Sequence, residues 1–467
     1  MAQARGRTMR RVECRYIIKT YLTHCFTVCT RVSQRVITLS ALAMASCLSE
    51  KIEEDVHLDD LAIDTEALLG NIEGQSHIRA KWQQPIHYAP AGWRMLKSVG
   101  YALLPSFLQR SGPQSDKSQK TGQNIATLDG LRGIACLIVV NQHFTYNFTE
   151  NIFHGFGSTE TDRYITQLPF ISLLWSGVAM VSVFFVISGY VLSNKPLRLA
   201  RARSWDNLHE TMASAAFRRI IRLYVPMASS LFIITMMAYF GLFEPGRAVK
   251  AAGVLTGNEP VPDRFDNLAS HLWEWYLNVW LYWAPGASAE RCFLDLHLWT
   301  LPTELRTSFT LFLTLIALSK LAYRWRAAML ILIMCFCSWW RRDAQILFLS
   351  GMFLADLDQH LAESHGPSKE ELQTTSGPRK RVRIAYLVTF VLGLFLSSSP
   401  NWGADQSTYY GWLTRFNPPQ WGDDGTFMKT MGAIVLVFAS NRGPDVQFLF
   451  TNRFAQYLGK VRRVSLS

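Results

Sequence analysis

Long apolar runs, separated by shorter polar and basic stretches, dominate the chain from residue 133 onward. A helix needs about 20 apolar residues to cross a bilayer, so several of these runs are shorter than a full span. Because a backbone in lipid must satisfy its own hydrogen bonds, and because the runs do not alternate as barrel strands do, they predict helices. The pattern predicts an all-α, multi-pass transmembrane helix bundle with eight visible spans, at 133–148, 171–193, 223–243, 298–319, 327–340, 344–357, 384–399 and 428–440.

The residues before the first run have a different character. Residues 1–124 begin basic and Ser/Thr-rich, become acidic, and end in a Gly/Ser/Gln/Lys linker, which predicts a cytosolic N-terminal region of low order in part. Within it, residues 92–108 are amphipathic and are expected on the membrane surface. The transmembrane domain is predicted at 125–460, with an atypical tail at 461–467. The Trp/Tyr-rich stretch 271–285 is predicted to be interfacial.

Charged residues are scarce and lie beside the apolar runs. They make up 18% of the chain, below the roughly 25% of an average soluble domain, whereas hydrophobic residues make up 49%. The net charge of +12 comes without a nucleic-acid-binding motif, so no nucleic-acid partner is expected. Lys and Arg are enriched in cytosolic loops, and the basic loop 195–222 is therefore predicted to be cytosolic, as is the N-terminus. Loops 149–170, 244–297 and 400–427 are predicted on the opposite side of an endoplasmic reticulum or plasma membrane.

Arg132 and His143 are the ionisable residues that stand out in the first run, TLDGLRGIACLIVVNQHF. Ionisable groups inside a membrane are costly and usually functional. Eleven residues of helix rise about 16 Å and return to nearly the same face. Arg132 is therefore expected at the cytosolic mouth, where it suits an anionic donor, and His143 deep in the bilayer, where it suits general-base chemistry. The alternative is that Arg132 snorkels to lipid phosphates and His143 only bonds a neighbouring helix.

Four stretches between residues 127 and 310 form an ordered series, namely Leu128–Gly133 with the apolar run to His143, Val183–Tyr190, Arg218–Pro226 and His297–Arg306. In this order they resemble acyltransferase family 3. That family carries an Arg, ten residues and a His in its first helix, and its fungal members carry an LWT-P-E stretch. The family usually continues past Tyr457–Lys460 into a further helix pair, so the short ending here suggests a truncated chain.

The resemblance implies an enzyme, an O-acyltransferase that moves an acyl group, commonly acetyl, from acyl-CoA to an acceptor hydroxyl. His143 would be the base and Arg132 would bind the donor. Acyl-CoA (acetyl-CoA) would be a co-substrate, with no bound cofactor. The acceptor would be a hydroxylated small molecule, a lipid or a polysaccharide. The 8 cysteines include no CxxC pair, so no metal is expected.

Several further residues are candidates for the site. Arg218, Arg219 and Arg222 can clamp the phosphates of CoA, since guanidinium forks match phosphate oxygens, or can simply anchor a cytosolic loop. A lone carboxylate such as Glu304 is expensive in an apolar helix, so it is expected to pair with an arginine or face the site. His297 and Trp299 can touch the acceptor, although Trp299 also suits a membrane-interface anchor.

Two other interpretations stay open. A multi-pass transporter or lipid-binding membrane protein would use the same buried polar groups without chemistry, although no internal repeat favours a transporter. An inactive truncated acyltransferase is the third possibility.

Overall fold

The computed structural model describes residues 122–253, 261–281, 294–375, 380–422 and 424–466. The predictions for residues 1–121, including the amphipathic segment 92–108, lie outside this range. So does the end of the predicted interfacial stretch, whose first part is helical.

All regular secondary structure in the described residues is helical, which confirms the predicted all-α class. The α-helices, in chain order, are α1 Gly122–Tyr146, α2 Gly177–Arg201, α3 Trp205–Tyr239, α4 Glu244–Ala251, α5 Leu268–Leu281, α6 Thr300–Leu318, α7 Tyr323–Trp339, α8 Asp343–Thr375, α9 Lys380–Ser397, α10 Thr426–Arg442, α11 Pro444–Thr451 and α12 Arg453–Leu466.

Within the described residues, α2 and α3 are the helices long and apolar enough to cross a membrane. They differ in where they lie. In the most apolar part of α2, 67% of the residues are buried, against 22% for α3. Phe217, Ile221 and Val225 of α3 are exposed large hydrophobic residues. Helix α2 is therefore central, and α3 presents apolar side chains to its surroundings.

The predicted loop at 195–222 is wrong. Helix α2 continues to Arg201 and α3 begins at Trp205, so only a tight turn at 202–204 separates them. Arg203 adopts a φ of 53° in that turn. The intervening residues are mostly Ala, Arg, Leu, Met and Glu, which favour helix, and charge alone does not end a helix.

A close helix contact in the core joins α2 and α8. A Cβ atom on Gly189 would lie 2.1 Å from the carbonyl oxygen of Phe348, and one on Gly351 would lie 2.2 Å from that of Val186. Only glycine permits this approach, because a Cβ cannot occupy backbone space. Gly189 is thus a packing residue within the Val183–Tyr190 stretch.

A second glycine contact joins α1 to α12. A Cβ atom on Gly133 would lie 2.5 Å from the backbone nitrogen of Gly459, and one on Gly459 would lie 2.6 Å from the carbonyl oxygen of Asp129. Gln456 also donates to the carbonyl oxygen of Ala126 at 2.7 Å. Gly133, which follows Arg132, is therefore explained by packing.

One end of the bundle is joined by buried ion pairs. Asp356 accepts from Arg201 at 2.6 Å and from both Nε and Nη2 of Arg326 at 2.7 and 2.6 Å. Asp358 pairs with Arg442 and accepts from Tyr190 at 2.8 Å. Removing one partner of a buried ion pair typically costs about 3–5 kcal/mol. These contacts link α2, α7, α8 and α10.

Loop 149–170, which follows α1, is hydrogen-bonded to loop 400–422, which follows α9. The backbone nitrogens of Asn401 and Trp402 donate to the carbonyl oxygen of Phe153 at 2.9 and 3.0 Å. Ser172 donates to the carbonyl oxygen of Ser398 at 2.9 Å. These bonds tie the segment after α1 to the segment after α9. The ends of α1 and α9 therefore lie close together.

We expect Gly189→Ala to destabilise the protein by about 1–3 kcal/mol, because the new methyl group must displace backbone of α8. Gly246 in α4 is the matched control, since no atom lies within 4 Å of its Cβ position. Gly246→Ala should leave stability unchanged or raise it by about 0.5–1 kcal/mol. Thermal unfolding in detergent measures both. An unchanged midpoint for Gly189→Ala would contradict the close contact.

Candidate active site

Arg132 and His143 lie on one continuous helix, α1. Because α1 begins at Gly122 and ends at Tyr146, Arg132 lies near its middle and His143 in its last turn. The helix thus begins eleven residues before the apolar run, although Gly122, Asn124 and Asp129 are weak helix formers. The depth of Arg132 and His143 in a membrane stays a prediction.

Polar contacts hold the end of α1 in place. The side chain of Asn141 donates to the carbonyl oxygen of Leu174 at 2.8 Å, and Trp175 donates to the hydroxyl of Thr145 at 3.0 Å. Asn147 donates to the carbonyl oxygen of His143 at 2.9 Å. These bonds fix the turn that carries His143.

Asn147 also belongs to the sequon Asn147-Phe148-Thr149. Asn147 is 6% exposed, and its side-chain amide donates a hydrogen bond to the backbone of α1. A buried, bonded amide is not accessible to a glycosylating enzyme in the folded protein. The amide here caps a helix.

His297 approaches His143 from a different part of the chain. The two rings have centroids 4.2 Å apart and planes inclined at 72°. The Nδ1 atom of His297 lies 2.8 Å from Oδ1 of Asp295, and the backbone nitrogen of His297 donates to the same oxygen at 2.9 Å. Asp295, His297 and His143 thus form a connected polar group.

The segment that holds this group is anchored by apolar residues three and four positions apart. Leu294, Leu298 and Leu301 belong to a small hydrophobic cluster with residues of α3 and α5. The polar residues between them, Asp295 and His297, are the ones involved in the histidine contact. The local pattern of apolar and polar positions therefore turns the polar side chains away from the cluster.

Trp299 ends the short 3-10 helix Leu296–Trp299 and immediately precedes α6. Its exposed fraction is 38%. The exposure fits the interface-anchor interpretation, since an indole prefers the boundary between apolar and polar surroundings.

Glu304 has the arginine partner that its position in an apolar helix predicted. Its Oε1 atom lies 2.7 Å from Nη2 of Arg219, and Ser188 donates to the same oxygen at 3.4 Å. The Nε atom of Arg219 donates to Ser308 at 2.5 Å. The side chains of Arg219 and Glu304 are 13% and 20% exposed. This pair connects α3, α6 and α2.

The three arginines at 218, 219 and 222 lie on different faces of α3. Arg219 points toward α6 and pairs with Glu304, whereas Arg218 and Arg222 are exposed. Residues four apart lie on one face of a helix, so Arg218 and Arg222 form a separate pair. The structure therefore does not group the three arginines as a single anion clamp.

Asp295 is the site residue that sequence reasoning missed. Its position two residues before His297 was visible, but the spacing carries no general signal. Only the fold shows that His297, the partner of Asp295, lies against the last turn of α1. In the part of the chain that the structure describes, no group of three or more His, Cys, Asp or Glu side chains is arranged to hold a metal ion.

The model of a family described as "Acyltransferase domain" matches residues 125–461 of the chain. The chain belongs to this acyltransferase family. The O-acetyltransferase PaAT-1 of Phomopsis amygdali is 34% identical over 389 residues, which cover 77% of this chain and 73% of that protein. The acyltransferase clz18 of Cochliobolus lunatus is 23% identical over 388 residues, covering 72% and 79%. No solved structure matches the chain.

Membership confirms the resemblance seen in the four sequence stretches and makes the protein an O-acyltransferase. Transfer by this family needs an acyl donor and a hydroxyl acceptor, and the family is generally membrane-bound.

Proposed function

We propose that the protein transfers an acyl group, with acetyl the expected one, from acyl-CoA to a hydroxyl of the acceptor, and that His143 is the general base. The observation that supports this role is the position of His143, held in the last turn of α1 by Asn147 and in contact with His297. An imidazole is suited to proton transfer near neutral pH.

In the proposed reaction, the imidazole of His143 accepts the proton of the acceptor hydroxyl while the oxygen attacks the thioester carbonyl. The new C–O bond forms and the C–S bond breaks. The imidazolium then returns the proton to the departing thiolate, which yields the ester and free CoA. The histidine ends in its starting protonation state, so atoms and charges balance.

Arg132 is proposed to orient the donor. It lies on the same helix as His143 and about 16 Å away along its axis. In acyl-CoA, the phosphate groups are likewise separated from the reacting thioester, because the pantetheine arm lies between them. A guanidinium some distance from the base therefore suits the donor better than one beside it. The exposed residues Arg218 and Arg222 are the other candidates for phosphate contact.

The acceptor is proposed to be a hydroxylated molecule of apolar character. The segment that carries His297 rests on α5, where Trp273, Tyr276 and Trp280 are exposed. Aromatic side chains offer broad apolar contact area. The printed name of the relative from Phomopsis amygdali supports acetyl as the transferred group.

Removal of the base is expected to abolish transfer without preventing folding. For His143→Ala, kcat should fall by about 10²–10⁴, the usual contribution of a general base. The rate is measured with labelled acetyl-CoA and an acceptor panel in membranes. His209→Ala is the matched control, because His209 is exposed on α3. Transfer at the wild-type rate in His143→Ala would remove this residue from the mechanism.

The proposed donor contact gives Arg132 a different kinetic signature. Arg132→Lys keeps the charge but loses the two-pronged geometry, so it should weaken donor use in part, and Arg132→Ala should weaken it strongly. The apparent KM for acyl-CoA should rise while that for the acceptor stays nearly constant. A changed acceptor KM with an unchanged donor KM would move the donor site to Arg218 and Arg222.

The enzyme is further proposed to cross the membrane several times, with the ion-paired end that contains Arg201, Arg326 and Arg442 in the cytosol. These basic residues are clustered at one end, as the excess of positive charge in cytosolic loops favours. Single cysteines replacing Ala202 and Glu160, in a background without native cysteines, are expected to react with an impermeant thiol reagent from opposite sides of sealed vesicles. Reaction of both from one side would contradict this orientation.

A further inference from the structure

We propose that Asp295 is a positioning residue of the acyl-transfer site, acting through His297 to stabilise the positive charge that develops on His143. The inference rests on the proposed role of His143 as general base. It adds a carboxylate to the mechanism and gives His297 a defined role beside the base.

The geometry orients His297. With Nδ1 of His297 2.8 Å from Oδ1 of Asp295, the carboxylate accepts the Nδ1 proton. A neutral imidazole with its proton on Nδ1 has its lone pair on Nε2. The carboxylate thereby selects the tautomer of His297 and fixes its ring plane, which is the plane that meets the ring of His143.

The carboxylate is itself held in place. Asp295 caps the 3-10 helix Leu296–Trp299 by accepting from the backbone nitrogen of His297, and its side chain is 18% exposed. Leu294 and Leu298 on either side are anchored in the apolar cluster against α3 and α5. A group fixed in this way needs no reorganisation during the reaction, which is the property that electrostatic stabilisation of a transition state requires.

The charges explain the catalytic effect. Before the reaction, the Asp295–His297 unit carries one negative charge and His143 is neutral. As the acceptor proton moves, His143 becomes positive while in contact with that unit. The attraction is present in the transition state and largely absent in the ground state. Only such a difference raises kcat, because interactions equal in both states leave it unchanged.

The test uses Asp295→Asn, which keeps an oxygen for the helix cap and removes the negative charge. The expected result is a roughly 10- to 100-fold lower kcat, by analogy with the loss caused by removing the hydrogen-bond partner of a metal-bound histidine. The KM values for acetyl-CoA and for the acceptor should stay within about twofold, since ground-state binding is not involved. Asp263→Asn is the control, because this carboxylate is exposed on a loop.

A second measurement separates positioning from a purely structural role. In a His297→Ala background, Asp295→Asn should cause little additional loss of kcat, because its effect passes through the absent ring. A structural role would lower activity equally in both backgrounds and would overturn the proposal. So would an unchanged kcat, or a raised KM with unchanged kcat, in the single Asp295→Asn variant.

The rates of His143→Ala and Asp295→Asn together distinguish failure of the Asp295 inference from failure of the proposed function. If His143→Ala abolishes transfer while Asp295→Asn retains the full rate, only the inference about Asp295 is wrong. If His143→Ala retains the full rate, the proposed base is wrong and the Asp295 inference falls with it.

Discussion

Charges enclosed by an apolar helix bundle have to be neutralised by partners, and in this protein the partners come from different helices. Asp356 on α8 joins Arg201 of α2 to Arg326 of α7. Glu304 on α6 joins Arg219 of α3. An unpaired charge in such surroundings costs several kcal/mol. The ion pairs therefore select one arrangement of the helices among many that would bury similar apolar area.

The candidate site depends on this arrangement. The α3–α6 ion pair lies near the start of α6, and the segment with His297 leads directly into that helix. A fixed α6 therefore fixes where His297 meets the last turn of α1. Close packing acts alongside the charges, since α2 and α8 approach through Gly189 and Gly351. Charge pairing and close packing together provide the rigid support that a catalytic histidine needs.

The sequence predicted the helices well because apolar runs are a strong, local signal. It also predicted a partner for Glu304, because the cost of an isolated buried carboxylate is independent of the fold. The loop prediction at 195–222 failed because a basic stretch was equated with a break in the helix. The start of α1 was also placed too late, because the apolar run marks only part of the helix.

The contact between His143 and His297 could not be predicted, because two histidines so far apart in sequence meet only through the fold. Asp295 was missed for that reason. A carboxylate near a histidine in sequence has meaning only when the ring is already placed in a site. The comparisons identify the family but do not supply this arrangement.

The close contact between α1 and α12 has a consequence for biosynthesis. Gln456 bonds the backbone of Ala126, a separation of 330 residues along the chain. Helix α1 emerges from the ribosome early, yet the surface around Gly133 stays uncovered until residues 453–466 have been made. Contacts of such long sequence separation form late, and uncovered helix surfaces are open to wrong associations meanwhile. The helix that carries the proposed base therefore reaches its final packing only after residues 453–466 have been made.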